Sequence, residues 1–261
     1  MKIKNKLMGL SAAMLCLSSQ ISQATVVEIQ TSLGNIQVNL FDNTTPQTVS
    51  NFLTYVNSGA YVNNVVHRVE PNFVVQAGGF QYNGELPLDT VPTGTPVINE
   101  AKLSNVRGTV AMAKQSGNAN SATSQWFFNL SDNSAGSSRL DTQNGGFTVF
   151  GQVLGDGMQV VDAIAAVTRF NAGGAFTSLP LRNYTTTDAA NNVPITDENL
   201  VIISDVIVID ATVASHPEIT PVQNTLINQS AGGGNSDAGG GGALAWLSSL
   251  ALLLLICRFK R

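Results

Sequence analysis

Beyond residue 24 the chain opens with strict alternation of apolar and polar residues. Thr25–Phe41 (TVVEIQTSLGNIQVNLF) alternates on both sides of Leu33-Gly34-Asn35. That pattern predicts a β-hairpin with Val27, Ile29, Ile36, Val38 and Leu40 on one buried face. The period then lengthens. Val49, Phe52, Leu53 and Val56 fall at i, i+3, i+4 and i+7, Pro46 suits a first helical turn, Thr44 or Thr45 can cap it, and Gly59 ends it. Short strands are predicted at Tyr61–His67, Phe73–Ala77, Thr109–Ala113, Trp126–Leu130 and Thr148–Val153. A second helix is predicted over Met158–Val167, burying Val160, Val161, Ile164 and Val167. Tyr82–Asn99 is rich in Gly, Pro and Thr and reads as loop. Phe170–Asn199 is polar and aperiodic, an excursion. Leu200–Ile209 (LVIISDVIVI) reads as a long strand that closes the sheet against the first hairpin, and Thr212–Ala231 reads as tail. Many short strands with a helix near each end predict one mainly-β domain over 25–213, a closed antiparallel β-barrel capped by two α-helices.

Both ends stand apart from this domain. Met1–Ala24 has three lysines, an apolar run Leu7–Leu17 and Ser22-Gln23-Ala24 as a small-x-small cleavage site, the pattern of a secretory signal peptide. Residues 214–242 form tail and linker, ending in the flexible Gly232–Gly242 (GGGNSDAGGGG). Residues 243–261 combine the apolar Ala243–Cys257 with the basic Arg258-Phe259-Lys260-Arg261. The apolar run is short for the ~20 residues a bilayer span needs. It reads either as a plain anchor or as a sorting signal, and in both cases the basic end stays cytoplasmic and the body of the chain outside.

Charge and cysteine usage narrow the chemistry. Three of the 13 basic residues lie in each end segment, whereas all 17 acidic residues lie between Glu28 and Asp237. Seven basic against 17 acidic residues leaves the body near −10, which repels phosphate backbones and argues against nucleic-acid binding. Cys16 and Cys257 both fall in the end segments, so the body has neither a disulfide nor a thiol nucleophile. With only His67 and His216, there is no cluster at metal-ligand spacing, no nucleophile elbow and no phosphate-binding glycine loop. His67 alternates with apolar neighbours and reads as a packed strand residue. No cofactor and no metal are expected.

What remains is Arg68 in Val66–Gly79 (VHRVEPNFVVQAGG) and its counterpart Ser124–Leu130 (SQWFFNL). Taken alone, Arg68 reads as a surface arginine or an ion pair with Glu70. Its surroundings say more. Val66, Phe73, Val74, Phe127 and Phe128 supply more apolar surface than one small sheet face requires, with Gln76 and Gln125 as neutral hydrogen-bonders among them. An apolar pocket with one fixed cation suits a proline ring.

Three segments carry a specific resemblance. VHRVEPNFVVQAGGF, GTVAMAKQSGNANSATSQWFFNLSDN (Gly108–Asn133) and LDTQNGGFTVFGQVLGDGMQVVDAI (Leu140–Ile164) occur in that order. They resemble the FHRxxPxFxxQGG, GTxxMAxxxxxxxxSQFFI and LDxxxxVFGxVxxGMxVVDxI segments of cyclophilin-type peptidyl-prolyl isomerases, the secreted bacterial type above all. The likeness extends over about Val26–Val213. It implies an eight-stranded closed barrel and, position by position, Arg68 as catalytic arginine with Gln76 beside it. It further implies a substrate-binding surface of Phe73, Val74, Ala113, Gln115, Gln125, Phe127, Leu140 and Phe147. Val74 stands where methionine is common, Ala77 replaces a glycine, Trp126 replaces the first phenylalanine of SQFF, and Lys114 replaces asparagine or arginine. Arg139 holds the place of the drug-contacting tryptophan, which implies weak cyclosporin binding. The C-terminal diglycine, short helix and basic end resemble GlyGly-CTERM tags, which implies processing by a rhombosortase-type protease.

The expected activity is rotation about Xaa-Pro bonds in exported proteins, with the chain acting as a monomer in the periplasm, at the cell surface or outside, and touching membrane only through its C-terminal segment. The alternative is an exported module that binds Pro-containing peptides with little turnover.

Overall fold

The computed structural model describes residues 25–211, 216 and 218–228. The expected signal peptide, the Gly-rich linker and the C-terminal apolar segment with its basic end lie outside the described residues. Among the described residues no helix is long and apolar enough to cross a membrane.

The hairpin forms where alternation placed it. Strands β1 (Val26–Thr31) and β2 (Gly34–Leu40) pair antiparallel from Val26↔Asn39 to Thr31↔Gly34. Gly34, at φ +132°, follows the two-residue turn. Then come α1 (Pro46–Asn57), β3 (Asn64–Val65), β4 (Arg68–Glu70), β5 (Val74–Ala77), β6 (Phe80–Gln81), β7 (Asp89–Thr90), β8 (Thr109–Met112), β9 (Trp126–Asn129) and β10 (Val149–Val153). The chain continues through α2 (Gly157–Ala165), β11 (Arg169–Phe170), β12 (Leu179–Pro180), α3 (Thr186–Ala190) and β13 (Ile202–Asp210). As expected, β13 pairs with β1.

Eleven of these strands form one antiparallel sheet in the order β4-β5-β9-β8-β10-β2-β1-β13-β3-β6-β7. The expected closed barrel of eight strands is therefore not the observed ladder, which is a curled sheet of short pieces with ends at β4 and β7. The curl is visible at the segment expected as one strand, Tyr61–His67. There Val66 N–H donates to Val201 O while His67 N–H donates to Gln76 O. Residues 64–70 thus meet β13 at one end and β5 at the other, and the ladder breaks where the segment changes neighbours.

The main core lies on one face of this sheet. It gathers Val27, Ile29, Ile36, Val38 and Leu40 from the hairpin, Val49, Phe52, Tyr55 and Val56 from α1, and Val161 and Ile164 from α2. Leu53 and Val160 only flank it. Thr45 does not cap α1 through its side chain; its hydroxyl donates to Phe41 O. The buried carboxylate of Glu100 does that work instead, accepting from Thr48 N–H and Thr48 Oγ1, each at 2.9 Å.

The polar excursion also folds. Leu179, Leu181 and Leu200 pack with Val65 in a small separate cluster flanked by Tyr184 and Ile195, and α3 carries a Thr185/Asp188 capping box. Residues 218–228, expected as tail, are seated on the domain. Asn224 is buried there, and Ser104 N–H donates to Val222 O.

Candidate active site

Five strands side by side carry one continuous row across the second face of the sheet. Arg68 on β4 pairs with Gln76 on β5, Gln76 with Phe127 on β9, Phe127 with Ala111 on β8, and Ala111 with Val149 on β10. Two residues along, Glu70, Val74 and Asn129 form a parallel row. Because side chains alternate across a strand, Val69, Val75, Trp126, Phe128, Val110 and Met112 turn to the main core instead.

The site face carries its own apolar cluster. Phe41, Val74, Leu103, Ala111, Phe127, Leu140, Phe147 and Val149 are buried together, with Phe73 and Ala113 packed at their edge. Six of the ten site residues named from the sequence therefore meet in one place: Phe73, Val74, Ala113, Phe127, Leu140 and Phe147. The rings of Phe127 and Phe147 stand edge to face with centroids 6.0 Å apart.

Beside the cluster runs a chain of polar side chains. Arg68 Nη1 donates to Gln76 Oε1 at 3.2 Å, and Gln76 Nε2 donates to Gln125 Oε1 at 2.9 Å. Arg68 Nη2 lies 3.2 Å from Glu70 Oε1, and Glu70 accepts from Ser178 Oγ at 3.0 Å. Arg68 is 7% exposed. Burial pulls its pKa down and Glu70 opposes that shift, so a nearly dry guanidinium is held from both sides. Gln115, the tenth residue, is exposed; its N–H donates to Ser121 Oγ and its carbonyl accepts from Asn144 Nδ2.

Two expectations change. Val66 and Phe128 are expected near Arg68, yet both face the main core, as does Trp126. Strand alternation puts Phe127 on one face and its neighbours on the other. His67 is, as expected, a packed residue: burial pushes its pKa down to about 3, its ring stands edge to face with Phe80 at 4.9 Å, and it is neutral near pH 7. It offers no proton-transfer group.

Two contributions are not legible in the sequence, which marks Lys114 only as a substituted family position and is silent on Ser178. Lys114 Nζ donates to Asn144 O at 2.9 Å and Gly146 O at 2.6 Å, and lies 4.8 Å from the centroid of the Phe147 ring. Ser178, inside the excursion, anchors Glu70 behind Arg68. A hydroxyl in a polar, aperiodic stretch carries no signal of that kind. A cleft of about 610 Å³ beside the C-terminal end of α1, lined by Tyr55, Gln81, Pro92 and Gly94 among others, contains none of the ten residues. Among the described residues no group of acidic, histidine or cysteine side chains is arranged to hold a metal ion.

The family model of cyclophilin type peptidyl-prolyl cis-trans isomerase/CLD matches residues 26–200. The chain belongs to this family. A peptidyl-prolyl cis-trans isomerase of Acinetobacter baylyi is 44% identical over 156 residues, which is 59% of this chain and 78% of that protein. Peptidyl-prolyl cis-trans isomerase B of Escherichia coli is 40% identical over 151 residues, 57% and 88% respectively. The fold agrees with a cyclophilin type isomerase of Cryptosporidium parvum, at TM-score 0.51 and 21% identity over 72% of this chain and 99% of that one. The mainly-β, curled antiparallel sheet with few helices is thus a cyclophilin fold, and the enzyme class is that of the cyclophilins, peptidyl-prolyl cis-trans isomerisation. The match ends at residue 200, before the strap of residues 218–228.

Proposed function

We propose that this cyclophilin isomerises Xaa-Pro bonds through Arg68, with the proline ring in the Phe73, Val74, Phe127, Leu140 and Phe147 cluster and the peptide along Ala113, Gln115 and Gln125. The observation that carries the reading is one buried guanidinium, tied through Gln76 to Gln125, at the edge of an apolar cluster separate from the core.

The chemistry follows from the amide. Rotation about the bond has a barrier of roughly 18–20 kcal/mol because the nitrogen lone pair is shared with the carbonyl. In the twisted amide that lone pair returns to nitrogen, which becomes an acceptor. A guanidinium that donates to it binds the twisted form better than the planar one, and only such differential binding accelerates the step. Gln76 holds Arg68 in place, the apolar walls exclude competing water, and no proton changes hands. A neutral, buried His67 accords with that.

The substrates on this reading are Xaa-Pro segments of exported proteins. The lysine-headed apolar N-terminus and the diglycine-apolar-basic C-terminus support delivery outside the cytoplasm, with the second end cut or retained as an anchor. Mass spectrometry of the mature termini decides that point; an intact Met1 would sink it.

The test of the activity is Xaa-Pro exchange measured by NMR on the purified protein and on Arg68→Ala. The variant should lose roughly 10²–10³-fold in kcat/KM, the usual effect of deleting one transition-state donor. Equal and negligible rates in both would leave the peptide-binding module as the reading.

A further inference from the structure

Gly146 is the point through which one wall of the pocket is held. It ends a run of left-handed residues, Asn144 (φ 51°), Gly145 (φ 75°) and Gly146 itself (φ 73°), immediately before Phe147. Its carbonyl is gripped by Lys114 Nζ, which also takes Asn144 O. The space a side chain would occupy on its Cα is already filled: a Cβ there would stand 2.7 Å from Ala101 Cβ, 2.7 Å from Asp141 O and 3.2 Å from Ile227 Cδ1.

Ile227 comes from the strap beyond the family match. The strap is fastened by Asn224, which is 7% exposed. Asn224 Nδ2 donates to Ala101 O at 3.1 Å and to Asp141 O at 2.9 Å, and its N–H donates to Lys102 O at 2.8 Å. Its Oδ1 accepts from the N–H groups of Leu226 and Ile227, each at 3.1 Å. One side chain therefore joins both backbone segments that border Gly146 and aims Ile227 at it. Further up the strap, Ile219 packs on the pocket cluster itself.

We propose that residues 218–228 are a positioning element of the isomerase site: Asn224 and Ile227 press on Gly146 against Lys114 and so fix Phe147 as a wall of the proline pocket. This rests on the placement of the proline ring in that cluster. A wall held in one position binds the ring equally in the planar and twisted amide, so loosening it weakens uniform binding and is read in KM rather than kcat.

The experiment uses the full chain with Asn224→Ala, Ile227→Ala, Ile227→Leu and, as a control on the exposed part of the strap, Val222→Ser. Steady-state kinetics on an Ala-Pro peptide and the NMR signals of the Phe147 ring are read below the unfolding transition. The two alanine variants should raise KM about five- to tenfold with kcat within about twofold, and shift the Phe147 ring signals. Ile227→Leu should restore both, and Val222→Ser should change neither. Ile227→Ala removes no buried hydrogen bond and carries the test if Asn224→Ala fails to fold. Unchanged KM and unchanged Phe147 signals in folded alanine variants would overturn the proposal, even if their melting temperatures fall. A wild-type protein without turnover would instead remove the isomerase reading, and the Phe147 signals would still decide whether the strap sets the wall.

Discussion

Replacing Lys114 by methionine should change how stability depends on pH. Lys114 is 6% exposed and forms no ion pair among the described residues. Burial lowers its pKa from 10.5 to about 8, whereas in the unfolded chain the amine keeps its proton to about 10.4. Between those values the unfolded state binds more protons than the folded one, so stability rises with pH. Below pH 8 both states are charged and the contribution is flat. Each pH unit inside the window is worth up to about 1.4 kcal/mol, so the step from pH 8 to 10 should favour the wild type over Lys114→Met by about 2 kcal/mol. The upper limit is set by Tyr61, whose hydroxyl burial holds protonated well above 10 in the fold; its unfolded form ionises beyond that pH and reverses the trend. Urea unfolding followed by circular dichroism at pH 7, 8, 9 and 10 measures the difference. A wild-type-minus-variant gap that stays constant across the four values would refute the reasoning.

Neighbouring glycines at the start of the β5–β6 connection should separate stability from activity. A Cβ on Gly78 (φ +85°) would meet Ser124 O at 2.4 Å, so Gly78→Ala should cost about 3 kcal/mol from backbone strain and overpacking, seen as a fall in Tm. A Cβ on Gly79 would meet the Gln125 amide at 2.7 Å. Gly79→Ala should therefore displace Gln125 from Gln76 and lower kcat/KM about tenfold, with circular dichroism unchanged. Trp126→Phe removes a buried indole N–H that makes no well-formed hydrogen bond among the described residues, worth about 1–3 kcal/mol, and leaves a void of similar cost. Its chemical unfolding should differ from wild type by under about 1 kcal/mol and its kcat/KM should not move. Glu70→Gln breaks an ion pair whose carboxylate is one-third exposed, so it should cost less than about 1 kcal/mol in denaturant; a larger loss would mean that Arg68 depends on that carboxylate.

What the sequence made legible was whatever repeats at short range. The hairpin, both long helices and β13 announce themselves by period, and Arg68, Gln76 and Phe127 by motif. The two-residue period of a strand says which residues share a face, but not which face has the core. Val66 and Phe128 are therefore read into the pocket on composition, though β9 turns Trp126 and Phe128 inward and Phe127 outward. The excursion looked aperiodic because Leu179, Leu181 and Leu200 meet across about twenty residues. The strap left still less trace: besides the bond from Ser104 N–H to Val222 O, the Asn224 side chain fastens it by bonds to carbonyls more than eighty residues away, and carbonyls have no sequence signature.

The two apolar clusters on either side of β5, β9 and β8 share a backbone and almost no side chains. Substitutions on the two faces should for that reason add nearly independently. The face proposed to take the proline ring, with Val74 and Phe147, can therefore be altered without disturbing the interior that keeps the molecule folded. The sheet is a partition between the face proposed to meet the substrate and the face that carries stability.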